Sequence, residues 1–257
     1  MPADLPMSLV DRFITSGRPP VVVQITDLTI SYRELVAVDQ ISLTVAPGQV
    51  MGLLGGNGAG KSSTLRAVAG VNPPTSGRLV VAGFDMADPH QVEKARQTVG
   101  YCPDVGGLIP AATPREHIAA TLAFRGRTHL WPQAYDLLER FELAHALDRL
   151  TSGFSHGMAR RLSVILAVLT AEQVLILDEP FDGVDPDGAD ATLEVIESAR
   201  AGGVAVIISS HLLDLVVRSC DSVSVMSTGK LVATGPSEQF AGPSGHRRYQ
   251  QLLRPPA

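Results

Sequence analysis

The residues whose types and spacing suit chemistry fall in short, separate stretches. Gly55, Gly56, Asn57, Gly58, Ala59, Gly60, Lys61 and Ser62 satisfy the spacing GxxxxGK[ST], with Ser63 next in line. Glycines there let backbone N–H groups turn inward on phosphate oxygens, and the start of a following helix adds positive potential. Lys61 suits the outer phosphates and the Ser62 hydroxyl suits magnesium. Further on, the apolar run Val174, Leu175, Ile176, Leu177 ends in Asp178 and Glu179. Asp178 is the candidate magnesium ligand, directly or through water. Glu179 is the candidate general base that polarises an attacking water. The loop alone implies nucleotide binding and no more, because GTPases, kinases and motor ATPases share it.

These groups work only if the chain presents them together. The apolar stretch 50–54 reads as a strand entering the glycine loop, and 61–69 as the helix leaving it. Stretches 21–25, 28–32 and 41–45 read as short strands of an antiparallel β patch, and 79–82 and 98–101 as two further strands. Residues 114–125 and 131–141 read as helices, the first with Thr113 as N-cap before Pro114. Helix 157–170, strand 174–177, helix 186–201 and strand 204–209 then alternate as a parallel sheet requires. Strands at 222–226 and 230–233 follow, while 241–257 shows no clear pattern. The leader, residues 1–20, is expected to be poorly ordered. The fold class is thus α/β, a mainly parallel core sheet of P-loop type with an antiparallel β subdomain and a helical subdomain at about 103–170.

Composition bounds the partners. The 257 residues carry a formal net charge of -5, which gives no global basic field and disfavours nucleic acid. Cys102 and Cys220 form neither a disulfide framework nor a metal-ligand spacing, which suits a reducing cytoplasm. Asp4 stands where a signal peptide would be positive, and no run approaches the roughly 18 apolar residues of a membrane helix. Any membrane crossing is then expected from a partner.

Over about residues 21–240 the chain resembles the ATP-binding cassette family, with several motifs in family order. Tyr32 matches the aromatic position that stacks on adenine. Phe154, Ser155, His156, Gly157 and Met158 resemble the signature LSGGQ, with Ser155 and Gly157 matching. In the family this helix start touches the γ-phosphate of ATP held by the opposite cassette. Asp182, Gly183, Val184, Asp185 and Pro186 resemble the loop that crosses the dimer interface, and His211 matches the switch histidine at the γ-phosphate. The resemblance implies a Mg2+-dependent ATPase that works with a second cassette, identical or different, and with transmembrane permease subunits. The chain would then lie in the cytoplasm, peripheral on the inner face of the cell membrane.

Two positions depart from the family pattern. Asp104 stands where the family commonly has glutamine, a shorter and charged candidate for the metal. His156 replaces the first glycine of the signature, placing a side chain where backbone approaches phosphate, and is expected to slow hydrolysis. The stretches YCPDVGGLIPAATPREHI and FSHGMARRL look like exporters with separately encoded membrane subunits. An importer ATPase, a cassette acting on ribosomes or DNA, and a regulatory subunit that binds ATP without hydrolysing it are the alternatives.

Overall fold

The computed structural model describes residues 21–104 and 106–253; the leader and the last four residues lie outside that range. Along the chain come β1 (Val23–Tyr32), β2 (Leu35–Val45), β3 (Val50–Leu54), α1 (Lys61–Val68), β4 (Ser76–Val81), β5 (Phe84–Asp85), α2 (Pro89–Thr98) and β6 (Val99–Cys102). Then follow α3 (Pro114–Phe124), α4 (Trp131–Arg140), α5 (His156–Thr170), β7 (Val174–Asp178), α6 (Pro186–Ala201) and β8 (Ala205–Ser210). The last elements are α7 (Leu213–Ser219), β9 (Ser222–Ser227), β10 (Lys230–Pro236) and α8 (Gly242–Leu252).

β1, β2, β4 and β5 form an antiparallel sheet in the order β2-β1-β4-β5. The core sheet runs β10-β9-β3-β8-β7-β6, parallel throughout except for the antiparallel β9–β10 edge. Apolar residues alternate between its two faces. Leu175 and Leu177 join one cluster with α3 to α8, while Val174 and Ile176 join another with the antiparallel sheet, α1 and α2. Burial on both faces is why this strand reads as an unbroken apolar run. Each such side chain contributes about 1.5–3 kcal/mol relative to exposure.

The stretches 21–25 and 28–32 are one strand rather than two. β1 changes register between Ile25 and Leu28, and Asp27 takes the left-handed conformation there (φ 47) while its N–H donates to Ser42 Oγ at 2.9 Å. A residue that tolerates positive φ makes the bulge, and pairing resumes beyond it.

The tail also differs from expectation, since 242–252 is helical. Phe240 before it is fully buried, Tyr249 is buried, and a Cβ on Gly245 would lie 2.0 Å from the Phe240 carbonyl carbon. The helix docks through so few apolar residues that no periodic signal shows. Close helix approach depends on a glycine in the core sheet as well. A Cβ on Gly52 of β3 would lie 2.1 Å from Val216 Cγ1 of α7. Among the described residues no helix is long and apolar enough to cross a membrane.

Candidate nucleotide site at the carboxyl ends of the core strands

β3 ends at Leu54 and the glycine loop carries the chain into α1, whose N-cap is Gly60. Gly60 has φ 103, and a Cβ there would stand 2.5 Å from Ala37 O, so only glycine closes this turn. Gly56, Asn57, Gly58, Ala59, Gly60, Lys61, Ser62 and Ser63 line a cleft of about 730 Å³. Tyr32, Leu35 and Val36 bound one end, and Asp104, Asp182, Glu179 and His211 the other. Tyr32 accepts a hydrogen bond from Asn72 Nδ2 at 2.9 Å on its hydroxyl. Gly55 meets Lys61 through its carbonyl oxygen, which accepts from Nζ at 2.8 Å.

The acidic pair sits one strand over but one. Asp178 ends β7 fully buried and Oδ1 accepts from Ser62 Oγ at 3.2 Å and from Ser209 Oγ. Oδ2 is buried and has no hydrogen-bond partner among the described residues. Burial holds the Asp178 carboxyl above the usual carboxylate range; the serine hydroxyls oppose this, and the charges of Asp104 and Glu179 add to it. A buried, unpartnered carboxylate oxygen beside a serine hydroxyl fits magnesium, which takes one or two protein oxygens and fills its octahedron with phosphate and water.

Glu179 follows at φ 49, an unusual backbone for glutamate. Leaving the extended conformation breaks the strand's alternation, and its carboxylate turns into the cleft. Its N–H is held by Ser209 Oγ at 3.0 Å and Ser209 O at 3.2 Å. Oε1 meets Lys61 Nζ at 3.2 Å, and Oε2 lies 3.0 Å from His211 Nδ1 and 3.3 Å from the His211 N–H. The carboxylate is thus fixed between a buried ammonium and an imidazole. Asp104 follows β6 and its Oδ1 pairs with Arg160 Nη2 at 3.1 Å.

Ser155 and Gly157 do not line the cleft. Ser155 is the N-cap of α5, accepting from the Met158 N–H at 3.2 Å, and it borders a separate surface depression with Glu142 and Arg161. His156 leans on the loop after Glu179: Nε2 is 3.4 Å from Asp182 Oδ2, and a Cβ on Gly183 would lie 2.3 Å from its Cδ2. Asp185 caps α6 through the Gly188 N–H at 2.9 Å and pairs with Arg161 at 3.2 Å. Sequence reasoning missed Ser209, Asn72 and Arg160. The Ser-Ser-His end of β8 was the one available signal for Ser209.

The sequence profile of the ABC transporter family matches residues 38–182. The lipopolysaccharide export system ATP-binding protein LptB of Haemophilus influenzae is 33% identical over 218 residues, covering 83% of this chain and 90% of that protein. The chain belongs to the ABC transporter family. It is an ATP-binding subunit of that family, with the α/β P-loop cassette fold. The Nod factor export ATP-binding protein I of Rhizobium meliloti is 34% identical over 219 residues, covering 84% of this chain but 65% of its own length. A solved ATP-binding subunit of an ABC transporter superposes with TM-score 0.80 at 28% identity, covering 90% of this chain and 99% of that one. A dimeric bacterial ABC transporter cassette shares the fold, with TM-score 0.78 at 18% identity.

Proposed function

We propose that this cassette hydrolyses ATP with Mg2+ at the cleft described, in a pair with a second cassette, and powers export through separate membrane-embedded subunits. The carrying observation is Glu179, held by Lys61 and His211 beside the buried, unpartnered oxygen of Asp178. In this reading the Tyr32 ring stacks on adenine while loop amides and Lys61 hold the phosphates. Ser62 and Asp178 hold Mg2+, which when bound neutralises charge on the phosphates. Glu179 accepts the proton of the attacking water, and His211 fixes the Glu179 carboxylate and reaches the γ-phosphate.

The start of α5 supports the paired arrangement through Ser155, which is exposed, while Gly157 behind it is buried against Gly183. Ser155 and Gly157 lie outside their own cleft and serve a partner's nucleotide instead, with hydrolysis needing two cassettes. The export direction rests on the export systems named for the relatives at 33% and 34% identity. Residues 21–240 are taken as the ATPase domain, with about 103–170 as its helical part. The cassette sits on the inner face of the membrane through its permease subunits. The test is phosphate release with and without Mg2+ by the wild type and Glu179→Gln, alone and with the membrane subunits, with sizing in ATP. Loss of turnover by at least a hundredfold in the variant, together with an ATP-trapped dimer, is expected. Turnover within tenfold of wild type would remove Glu179 as the base.

A further inference from the structure

Four carboxylates, Asp104, Asp178, Glu179 and Asp182, stand at the phosphate end of the cleft, and they are partnered unequally: the exposed Asp182 faces His156 at 3.4 Å. Glu179 has Lys61 and His211, and Asp104 has Arg160. Among the described residues the Asp178 carboxylate has only the hydroxyls of Ser62 and Ser209. The Arg160 side chain is 3% exposed, on the second turn of the helix that Ser155 caps. Its Nη1 donates to Pro103 O at 2.7 Å and to Asp178 O at 3.2 Å, while Nη2 donates to Asp104 O and to Asp104 Oδ1 at 3.1 Å. One planar guanidinium therefore ties three segments together: the helix led by Ser155, the end of β7, and the two residues after β6. A lysine could not span these acceptors from one point.

Of the acceptors that this buried cation meets among the described residues, only the Asp104 carboxylate is charged, so each balances the other. The Asp104 side chain is 36% exposed and lines the cleft, where an unbalanced charge would act on phosphates and metal alike. Resting on the ATP reading above, we propose that Arg160 is a positioning residue of the hydrolytic site. It neutralises Asp104 and pins it just beyond β6, leaving Asp178, the carboxylate beside the Ser62 hydroxyl, to take the metal. The aspartate in the glutamine position is therefore part of a link between the signature helix and the site, and it is not a metal ligand.

The test is a mutant cycle of Arg160→Gln, Asp104→Gln and the double variant, read by equilibrium binding of a fluorescent ATP analogue in Mg2+-free buffer. Thermal unfolding by circular dichroism runs alongside. An unpaired Asp104 facing the phosphates should weaken binding about tenfold in Arg160→Gln, while the double variant stays within about twofold of Asp104→Gln. A purely structural arginine would cost the same affinity in both backgrounds, and that result overturns the proposal. Asp104→Asn supplies a second readout that needs no change at the buried arginine. Its Mn2+ affinity in the presence of a nonhydrolysable ATP analogue, measured by electron paramagnetic resonance, is expected within about threefold of wild type. A loss of tenfold or more would make Asp104 a metal ligand and also overturn the proposal. Failure of the wild type to bind the analogue at all would sink the ATP reading and this inference with it, whereas wild-type binding with equal losses sinks only the inference.

Discussion

Ser209→Ala removes a single hydroxyl from a residue with no exposed surface, and the structure gives its cost in parts. The hydroxyl donates to Asp178 Oδ1, a bond to a charged group worth about 1.5–3 kcal/mol. It also accepts the Glu179 N–H at 3.0 Å, but that N–H keeps the backbone acceptor Ser209 O at 3.2 Å, so this second loss is small. Asp178 Oδ1 retains Ser62 at 3.2 Å, which offsets part of the first. The net destabilisation is about 2 kcal/mol, near thirtyfold in the folding equilibrium, measurable by urea denaturation. Turnover should fall further than stability implies, because the hydroxyl also orients the Asp178 carboxylate at the floor of the site. A tenfold lower kcat at saturating ATP, with KM within about twofold, is expected from steady-state phosphate release. Ser209→Thr, which keeps the hydroxyl, should recover most of it. A Ser209→Ala protein losing less than about 0.5 kcal/mol with unchanged kcat would refute the assignment of Ser209 as the residue that holds both acids.

Two further outcomes follow from the geometry. Gly183→Ala forces a side chain onto φ 67 and against the His156 ring, so it should destabilise by about 1–3 kcal/mol. Adding His156→Gly should return only the steric part, and a double variant no more stable than Gly183→Ala would show that the contact is not made. Burial pushes the Cys102 thiol up to about 11 and that of Cys220 to about 12, so neither should react with a thiol reagent at pH 8 until the protein is unfolded. Because both folded values lie above the ordinary thiol value, the stability tied to the protonated thiols is complete below about pH 9 and is lost as pH rises toward 11. Rapid native labelling, or denaturation midpoints flat between pH 9 and 11, would contradict this.

How much of the cassette was legible in the sequence depends on how local each feature is. The glycine loop could be read because strand, turn and helix follow one another directly, and each glycine answers a local steric demand. The parallel core could be read because burial on both faces leaves continuous apolar runs such as 174–177. The bulge at Asp27 could not, since a turn-prone residue inside a strand looks the same as a break between two strands. α7 and α8 escaped because each is anchored by few apolar side chains, Leu213 and Val216 in one and Tyr249 with its neighbour Phe240 in the other.

Within the site, the groups that face outward to a ligand were visible, and those that hold them were not. Asp178, Glu179 and His211 each end or follow an apolar strand, and Lys61 closes the glycine loop that follows another, so their types and positions mark them. Ser209 and Arg160 acquire their roles from strand order, which no local pattern encodes. β8 lies between β3 and β7, with Ser209 in register opposite Asp178 and Ser210 opposite Leu54, the last residue before the glycine loop. That adjacency lets one serine of β8 bond both Asp178 and the Glu179 N–H. It also explains why His211, directly beyond β8, reaches Glu179 at 3.0 Å across the end of the neighbouring strand. In the same way β6 lies beside β7, so an arginine on the helix packed over both can hold Asp104 and the Asp178 carbonyl at once. The chemistry-bearing residues are therefore properties of single strands, whereas their alignment is a property of neighbouring pairs. A variant that slips register at β7–β8 should accordingly lose hydrolysis before it loses the fold.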